Sequence, residues 1–392
     1  DTEVLKQVAE TSMTGKGAET NKELLGQLLV DAVEAVTVEA EDGSSVVDLE
    51  FLNVTTAAGG AADNSELLEG ALVREDPAHE DMPTDIEDAE ILLVDSALEV
   101  EETNADASLT VDDPSQLQQF VEQEEQQLRD IVSDIADSGA DVVLCQKGID
   151  DMVQHLLAKE GILAVQRAKK SDLEFLREVV GARVVSDVGA IAAEDLGSGD
   201  VSRDADEGWF RIENEDAHGV TLLLRGSTDH VVDELERGVN DALDVVSAAI
   251  ADGLVLAGGG AVEVELARRL RDYADGVSGR EQLAIEAFAD SLELIPRVLA
   301  ENAGLDSIDT LVDLRAAHED GDEHAGLNVF TGEVEDTYEA GVVETAHAKS
   351  QALVSAAEAA NLVLKIDDII AAGDLSTSGD EDEGAGGPGG GM

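Results

Sequence analysis

Apolar residues follow two different spacings along the chain. Between 89 and 187, short apolar runs alternate with stretches of helical period, which predicts strand–helix–strand units and a parallel sheet with right-handed crossovers. From 229 onward the period is helical almost throughout. The pattern therefore predicts an α/β part followed by a mostly helical part. The predicted strands of the α/β part are 89–100, 140–146, 162–168 and 182–187.

Shorter signals complete the pattern. Strands are predicted at 43–54, entered through a turn at Asp42-Gly43, and at 219–227. A hairpin with its turn at Thr331-Gly332 is predicted near the end, and the Gly-rich acidic residues 376–392 are predicted to be a disordered tail. Helices are predicted over 21–36, 113–139, 148–161, 170–181, 229–253, 261–276, 279–304, 306–321 and 349–372.

Charge changes the picture of the surface. Asp and Glu number 89 against 24 Lys and Arg, which gives a net charge of −65, yet 43% of residues are hydrophobic. A disordered acidic chain would carry fewer apolar residues, so the sequence indicates a folded protein with a carboxylate-rich surface, suited to the salty cytoplasm of a halophile. The excess of acid disfavours nucleic acid and anionic membranes as partners. No apolar run reaches the ~18 residues of a membrane span.

One stretch pairs a carboxylate with a bare backbone. Asp241 lies in a predicted helix, and Gly258, Gly259 and Gly260 stand just before the next helix. Glycines at a helix N-terminus let a backbone approach an anionic or planar ligand, and a lone carboxylate can orient water or a metal. A tight turn and a solvated helix face explain the same residues, so the pattern alone leaves both interpretations open.

The same stretch resembles a hallmark of the group II chaperonins, the archaeal thermosome and its eukaryotic cytosolic relatives. The resemblance rests on Asn240-Asp241-Ala242-Leu243 and on the run from Val255 to Ala261. Residues 10–19, 143–172 and 299–319 and the terminal Gly run ending in Met are similar to further parts of that family. With the acidic bias, the chain resembles a haloarchaeal thermosome subunit.

The resemblance implies a multidomain fold. An α/β apical domain is inserted in an intermediate domain that the chain crosses twice, and a mostly helical, partial equatorial domain follows. The implied divisions are 1–59 for the end of the N-terminal equatorial part and the first crossing, 60–218 for the apical domain with its lid protrusion, 219–252 for the second crossing, 253–375 for the C-terminal equatorial part, and 376–392 for the tail.

The resemblance also implies an ATP site. Asp241 matches the catalytic aspartate that positions the attacking water, and Lys16 matches a lysine that senses the terminal phosphate. The implied nucleotide-binding residues are Gly15, Lys16, Gly258, Gly259, Asn328 and Glu344. The family's Gly-Asp-Gly-Thr-Thr phosphate loop is absent, so the ligands of phosphate and Mg²⁺ are expected in an N-terminal equatorial segment that this sequence lacks, and no metal ligand is assigned within it.

Other candidates have a plainer alternative. Apolar faces on the helices over 113–139 and 148–161 are either core or, by the resemblance, surfaces that touch unfolded clients. The candidate client-binding residues are Leu128, Ile131, Ile135, Met152 and Leu156. Residues 108–120 are a surface loop or the lid protrusion. His318 and His324 lie among carboxylates, where a solvated helix end is favoured over a metal site, and Cys145 is interpreted as a buried, inert thiol.

The favoured function is that of an ATPase subunit of a cytoplasmic double-ring chaperonin, with unfolded proteins and sister subunits as partners. Two alternatives stay open. One is a nucleotide-incompetent fragment that only holds unfolded clients. The other is an unrelated α/β enzyme that uses the sheet between 90 and 190, although no Gly-rich phosphate fingerprint follows its strands.

Overall fold

The architecture is that of a computed structural model, which describes residues 2–15, 17–39, 45–100, 114–214 and 218–365. The chain divides into a compact unit, Asp1–His347, and a second unit, Ala348–Met392. Of the second unit, the described residues are 348–365, most of which belong to one helix.

The described helices and strands are as follows. The helices are α1 (Thr2–Met13), α2 (Lys22–Ala35), α3 (Pro114–Ser138), α4 (Asp151–Glu160), α5 (Lys170–Val180), α6 (Asp229–Asp252), α7 (Ala261–Ala274), α8 (Arg280–Leu292), α9 (Leu294–Asn302), α10 (Ser307–Glu319) and α11 (Ala346–Leu364). The strands are β1 (Thr37–Glu39), β2 (Ser45–Val47), β3 (Leu52–Ala58), β4 (Glu66–Leu68), β5 (Gly70–Val73), β6 (Ile86–Val94), β7 (Val142–Cys145), β8 (Leu163–Val165), β9 (Val184–Val185), β10 (Gly197–Asp204), β11 (Trp209–Glu213), β12 (Val220–Gly226), β13 (Val255–Ala257), β14 (Ala325–Asn328), β15 (Glu333–Asp336) and β16 (Val343–Thr345).

The largest sheet has seven strands in the order β5-β11-β10-β6-β7-β8, with β9 beside β6. The strands predicted from the apolar runs, β6 to β9, are parallel to their neighbours among themselves, which confirms the predicted parallel sheet. The antiparallel strands β5, β10 and β11 were not predicted. β10 escapes a search for apolar runs because it reads GSGDVSRD and has one apolar residue.

The core of this region is apolar and continuous. The second half of β6 (Ile91–Val94) and all of β7 and β8 are buried, as their continuous apolar sequence requires. Cys145 lies in this core, where burial raises the pKa of its thiol to about 11. The interpretation of an inert thiol is thus supported by its surroundings, because the thiolate is the reactive form.

A second, three-stranded sheet joins the two halves of the chain. β12 lies between β3, to which it is parallel, and β4, to which it is antiparallel. Leu68 at the end of β4 is opposite Thr221, whose hydroxyl donates to the carbonyl of Gly70 at 2.7 Å. The chain therefore leaves this sheet towards the seven-stranded sheet and returns from it at neighbouring positions.

The long helix α6 follows the three-stranded sheet and matches the predicted 229–253. Thr228 caps its first turn by accepting a hydrogen bond from the amide of Val231, and Gly253 closes it with φ +65°. Its apolar face packs with α1 and α2 in one buried cluster, which also includes Val343 of β16. The helix thus forms a rigid connection between the three-stranded sheet and the turn at Gly258.

Two predicted elements are each broken in the structure. The predicted strand 43–54 is divided into β2 and β3 by a 3₁₀ turn at Leu49–Phe51, because Asp48 caps that turn by accepting from the amide of Glu50 at 3.1 Å. The predicted helix 279–304 is divided at Glu293 into α8 and α9, because Pro296 favours the first turn of a new helix. The predicted hairpin is confirmed as β14 and β15.

Several predictions fall on residues outside the described ranges. The turn at Asp42-Gly43, residues 108–113 of the proposed lid protrusion and the tail 376–392 belong to this group. The mixed α/β and helical composition that was predicted is confirmed, whereas the domain boundaries stay predictions.

Candidate functional site

The glycine turn between β13 and α7 is enclosed by the protein's own backbone. Gly258 donates its amide to the carbonyl of Val342 at 2.8 Å, and the Thr337 hydroxyl donates to the carbonyl of Gly258 at 3.0 Å. Gly259 has φ +64°, and a Cβ there would lie 2.6 Å from the carbonyl oxygen of Leu327. The lack of side chains is thus required by close packing against β14 and residues 337–342, whatever ligand the turn also meets.

Glu344 lies beside this turn. It is half-buried on β16, opposite Leu256 of β13. A Cβ on Gly258 would lie 3.4 Å from the Oε1 atom of Glu344, so the carboxylate runs along the turn. The structure therefore brings Gly258, Gly259 and Glu344 together.

Asn328 lies at the end of β14, and its side-chain amide has a structural task. Its Oδ1 accepts from the amides of Phe330 at 2.9 Å and Thr331 at 3.3 Å, and its Nδ2 donates to Glu335 Oε1 at 2.6 Å. These bonds fix the turn between β14 and β15. A nucleotide-binding role for Asn328 would have to act together with this capping role.

The loop between α1 and α2 packs on the helix that carries Asp241. Gly15 has φ +76° and donates its amide to Glu19 Oε2 at 3.2 Å, and Lys16 lies outside the described residues. A Cβ on Gly17 would lie 2.8 Å from the Cβ of Glu234, and a Cβ on Gly238 would lie 3.1 Å from the Cβ of Ala18. Gly17 and Ala18 of the loop 14–18 are therefore packed on α6, in the two helical turns before Asp241.

Asp241 itself is exposed on α6, next to the buried Ala242 and Leu243. From Asp241 to the end of the helix at Asp252 the rise is ~17 Å, so the carboxylate and the glycine turn lie at separate positions along one rigid element. Helix α1 ties the two regions together, because the Thr11 hydroxyl donates to the carbonyl of Gly341 and accepts from the amide of Val343, each at 3.4 Å.

A network of arginines and carboxylates holds the helices beneath β14. Hydrogen bonds from Arg268, and further ones from Arg269, lower the pKa of the buried Glu265 to about 2. Glu293, also buried, accepts from Arg271 and Arg315, and these two guanidinium groups lower the pKa of its carboxyl even though burial acts strongly in the opposite direction. The network joins α7, the α8–α9 junction and α10.

His318 is part of this network, contrary to the expectation of a solvated helix end. Its ring is fully buried, with Nδ1 3.2 Å from Glu265 Oε2 and Nε2 2.8 Å from the carbonyl of Ala325. The correction has a physical reason, since both ring nitrogens find partners only inside the protein. His324 is exposed, 3.6 Å from Asp336. Among the described residues, no group of three or more His, Cys, Asp or Glu side chains could hold a metal ion.

The candidate client-binding residues divide by burial. Leu128 and Ile135 are buried in the core of the seven-stranded sheet, where core packing accounts for them. Ile131, Met152 and Leu156 are half-buried and pack against the same core. Sequence reasoning did not single out Phe120 and Val121, which are exposed on the first half of α3. Val121 lies seven residues before the buried Leu128 and so continues the apolar spacing of that face, yet it is exposed.

Sequence reasoning also missed a pair beside Asn328. The Nζ of Lys22, at the start of α2, lies 5.3 Å from the centre of the Phe330 ring and 3.5 Å from the hydroxyl of Thr14. Positions so distant in sequence give no local signal of their contact.

No helix in the part of the chain that the structure describes is long and apolar enough to cross a membrane.

The chain matches known proteins over most of its length. The TCP-1/cpn60 chaperonin family matches residues 1–374. Thermosome subunit 2 of Haloferax volcanii is 67% identical over 392 residues, covering 100% of this chain and 70% of that protein. Thermosome subunit beta of Halobacterium salinarum is 65% identical over 380 residues, covering 96% and 68%. The solved open-state monomer of a group II chaperonin from Methanococcoides burtonii is 42% identical, with a TM-score of 0.67 and coverage of 93% of this chain and 86% of that one.

Proposed function

The chain belongs to the TCP-1/cpn60 chaperonin family, and from its similarity to thermosome subunits we infer that it is a subunit of a group II chaperonin. Such a subunit acts as an ATP-dependent molecular chaperone that folds other proteins in double rings. Its partners are then unfolded client proteins and sister subunits, and the acidic surface suits a halophile's cytoplasm.

The adenosine part of ATP is proposed to lie against the glycine turn. Three observations support this position. The backbone of Gly258 and Gly259 carries no side chain, the carboxylate of Glu344 runs along the turn, and α7 begins immediately after Gly260. A carboxylate beside the turn can accept hydrogen bonds from ribose hydroxyls. The fixed turn at Asn328 would form a further wall of the same site.

Asp241 is proposed to position the water that attacks the terminal phosphate. A carboxylate that accepts a hydrogen bond from water orients it and can take its proton, and the rigid helix α6 holds the group in place. The single observation that carries this proposal is the packing of Gly17 and Ala18 on α6, in the two helical turns before Asp241. Lys16, which resembles the phosphate-sensing lysine, directly precedes these two residues in the sequence.

The family implies that ATP binds together with Mg²⁺. The described residues do not supply a fitting set of ligands, because they include no suitable group of three acidic or histidine side chains. No step through the ion is therefore assigned to these residues. Their proposed task is to hold the nucleoside and to orient the water.

The test is made in the chain joined to the family's N-terminal equatorial segment, and it replaces Asp241 by Asn, which keeps the shape of the side chain and removes its charge. Phosphate release should fall by about 10²-fold or more, because the water loses its acceptor, while the Kd for ATP should change only a few-fold. Asp244→Asn is the matched control, since Asp244 is exposed on the same helix. A variant at Asp241 that hydrolyses ATP as fast as the parent would contradict the assignment.

A further inference from the structure

Lys22 connects two parts of the candidate nucleotide site that are far apart in sequence. Its ammonium group lies over the ring of Phe330, in the turn after β14, and against the hydroxyl of Thr14, at the base of loop 14–18. Gly17 and Ala18 of this loop pack on α6 in the two turns before Asp241, whereas the turn carries Asn328. One side chain therefore bridges the loop before α2 and the turn between β14 and β15.

Both partners of Lys22 are fixed by bonds of their own. The Thr14 hydroxyl donates its proton to the carbonyl of Glu10 at 2.9 Å, so its lone pairs are left to face the ammonium group. The backbone amide of Phe330 is held by Asn328 Oδ1. A movement of Lys22 is thus transmitted to the Asn328 turn on one side and to the start of the loop on the other.

The position of Phe330 needs an explanation. The residue is 67% exposed, so burial does little to fix its ring. A cation over the face of an aromatic ring attracts it through the ring quadrupole. With 89 acidic and 24 basic residues in the chain, most lysines would be expected to face carboxylates, so an ammonium group that contacts a ring and a hydroxyl is unusual. The simpler explanation of Lys22 is that it neutralises a nearby carboxylate.

That plainer explanation can be tested separately. Lys6 and Lys22 both act on Glu10, where they oppose the larger effect of burial, which raises the pKa of its carboxyl. Of these two lysines, Lys22 is the one whose ammonium group lies over the Phe330 ring. If charge near Glu10 were the whole role of Lys22, then Lys6 and Lys22 would respond alike to substitution.

We propose that Lys22 is a positioning residue that latches loop 14–18 to the β14–β15 turn through Thr14 and Phe330, so that the two sides of the nucleotide site are ordered together. This proposal rests on the proposed function, because it assumes that loop and turn both face the nucleotide. It adds a residue pair whose contact does not involve the catalytic carboxylate.

The first measurement needs no nucleotide. Hydrogen exchange of the full chain is followed at the amides of loop 14–18 and of residues 329–332. Lys22→Met should speed exchange in both segments together, whereas Lys22→Arg, which keeps a cation for the ring, and Lys6→Met should leave them as in the parent. Equal exchange in Lys22→Met and the parent would overturn the latch.

The second measurement is ATP affinity and turnover in the chain joined to the family's N-terminal equatorial segment. Lys22→Met and Phe330→Leu should each raise the Kd and KM for ATP by ~2- to 5-fold, the effect of one exposed cation–π contact. The double variant should be no worse than either single variant, because both remove the same contact. Phe330→Tyr and Lys6→Met should bind as the parent does, and kcat should stay within about twofold of the parent in every variant.

The outcomes separate the two proposals. Additive losses in the double variant, or an unchanged Kd despite faster exchange, would overturn the positioning role while ATP binding by the parent stands. A parent that does not bind ATP would overturn the proposed function and the positioning role with it, and hydrogen exchange would still decide whether the latch exists.

Discussion

Replacing Glu265 by Gln should weaken the helical region in a manner that depends on pH. The carboxylate is 11% exposed, and it accepts from Arg268 Nη2 at 2.7 Å and Arg269 Nε at 2.6 Å and lies 3.2 Å from His318 Nδ1. Gln has the same shape but no charge, so the three basic side chains would lose the negative charge and one of the two acceptor oxygens that they share. The substitution therefore removes the centre of the network between α7 and α10.

The magnitude follows from the pKa. Hydrogen bonds from Arg268 lower the pKa of Glu265 from 4.5 to about 2, which is equivalent to about 3 kcal/mol. Arg269 is 59% exposed and solvent screens its share, so we expect a loss of ~1 to 3 kcal/mol. Because the pKa is lower in the folded protein, this stabilisation is complete above about pH 5 and disappears as the pH falls towards 2.

The assay is hydrogen exchange of peptides from α7 and α10, compared between the parent and Glu265→Gln at equal pH and constant molar KCl. At pH ~7 the variant should exchange about 5- to 100-fold faster, and the difference should vanish near pH ~2. Glu323→Gln is the control, since Glu323 binds the same Arg269 but is itself exposed, and it should cost well under ~1 kcal/mol. If the α7 and α10 peptides of the parent and of Glu265→Gln exchanged at the same rate at every pH, the reasoning would be refuted.

Three further predictions concern the turn, the surface and the core. Gly259→Ala should destabilise the chain more than Gly253→Ala does. Both positions have positive φ, but only a Cβ at Gly259 would lie 2.6 Å from a carbonyl oxygen. Equal denaturation midpoints for the two variants would contradict this prediction. Raising KCl to ~1 M, where the Debye length is ~3 Å, should raise the melting temperature followed by circular dichroism, since the net charge is −65, and a flat titration would argue against charge repulsion as the main destabilising effect in dilute buffer. Alkylation of Cys145 should be slow in the native chain at pH ~8 and fast after denaturation, because burial raises the pKa of its thiol to about 11; rapid native labelling would show that the core opens.

The sequence predicted the elements whose own residues decide their structure. The second half of β6 and the strands β7 and β8 are continuous apolar runs, and α6 has both a polar N-cap and a C-terminal glycine, so local signals suffice. β10 and β11 escaped because their stability comes from pairing with strands elsewhere in the chain, including β6 and β5, while β10 itself is mostly polar. Pairing of that kind is a property of the assembled sheet and is not visible in a window of sequence.

The candidate site shows the same division. The Gly258 turn and Asp241 could be singled out because consecutive glycines and a carboxylate within a helical run can be identified directly in the sequence. The capping bonds of Asn328, the burial of His318 and the contact between Lys22 and Phe330 could not, since each depends on a partner brought close only by folding. Three-dimensional proximity, more than residue type, decided what sequence reasoning missed.

The antiparallel pairing of β4 with β12 has a consequence for how such a chain can change over time. Leu68 and Thr221 are opposite each other, so the two ends of the intervening segment are held side by side. Joining ends that already meet requires a link of only a few residues and a small loop-closure entropy. We therefore expect that the intervening segment can be lengthened or exchanged between its ends without altering the register of the three-stranded sheet on which α6 and the glycine turn depend.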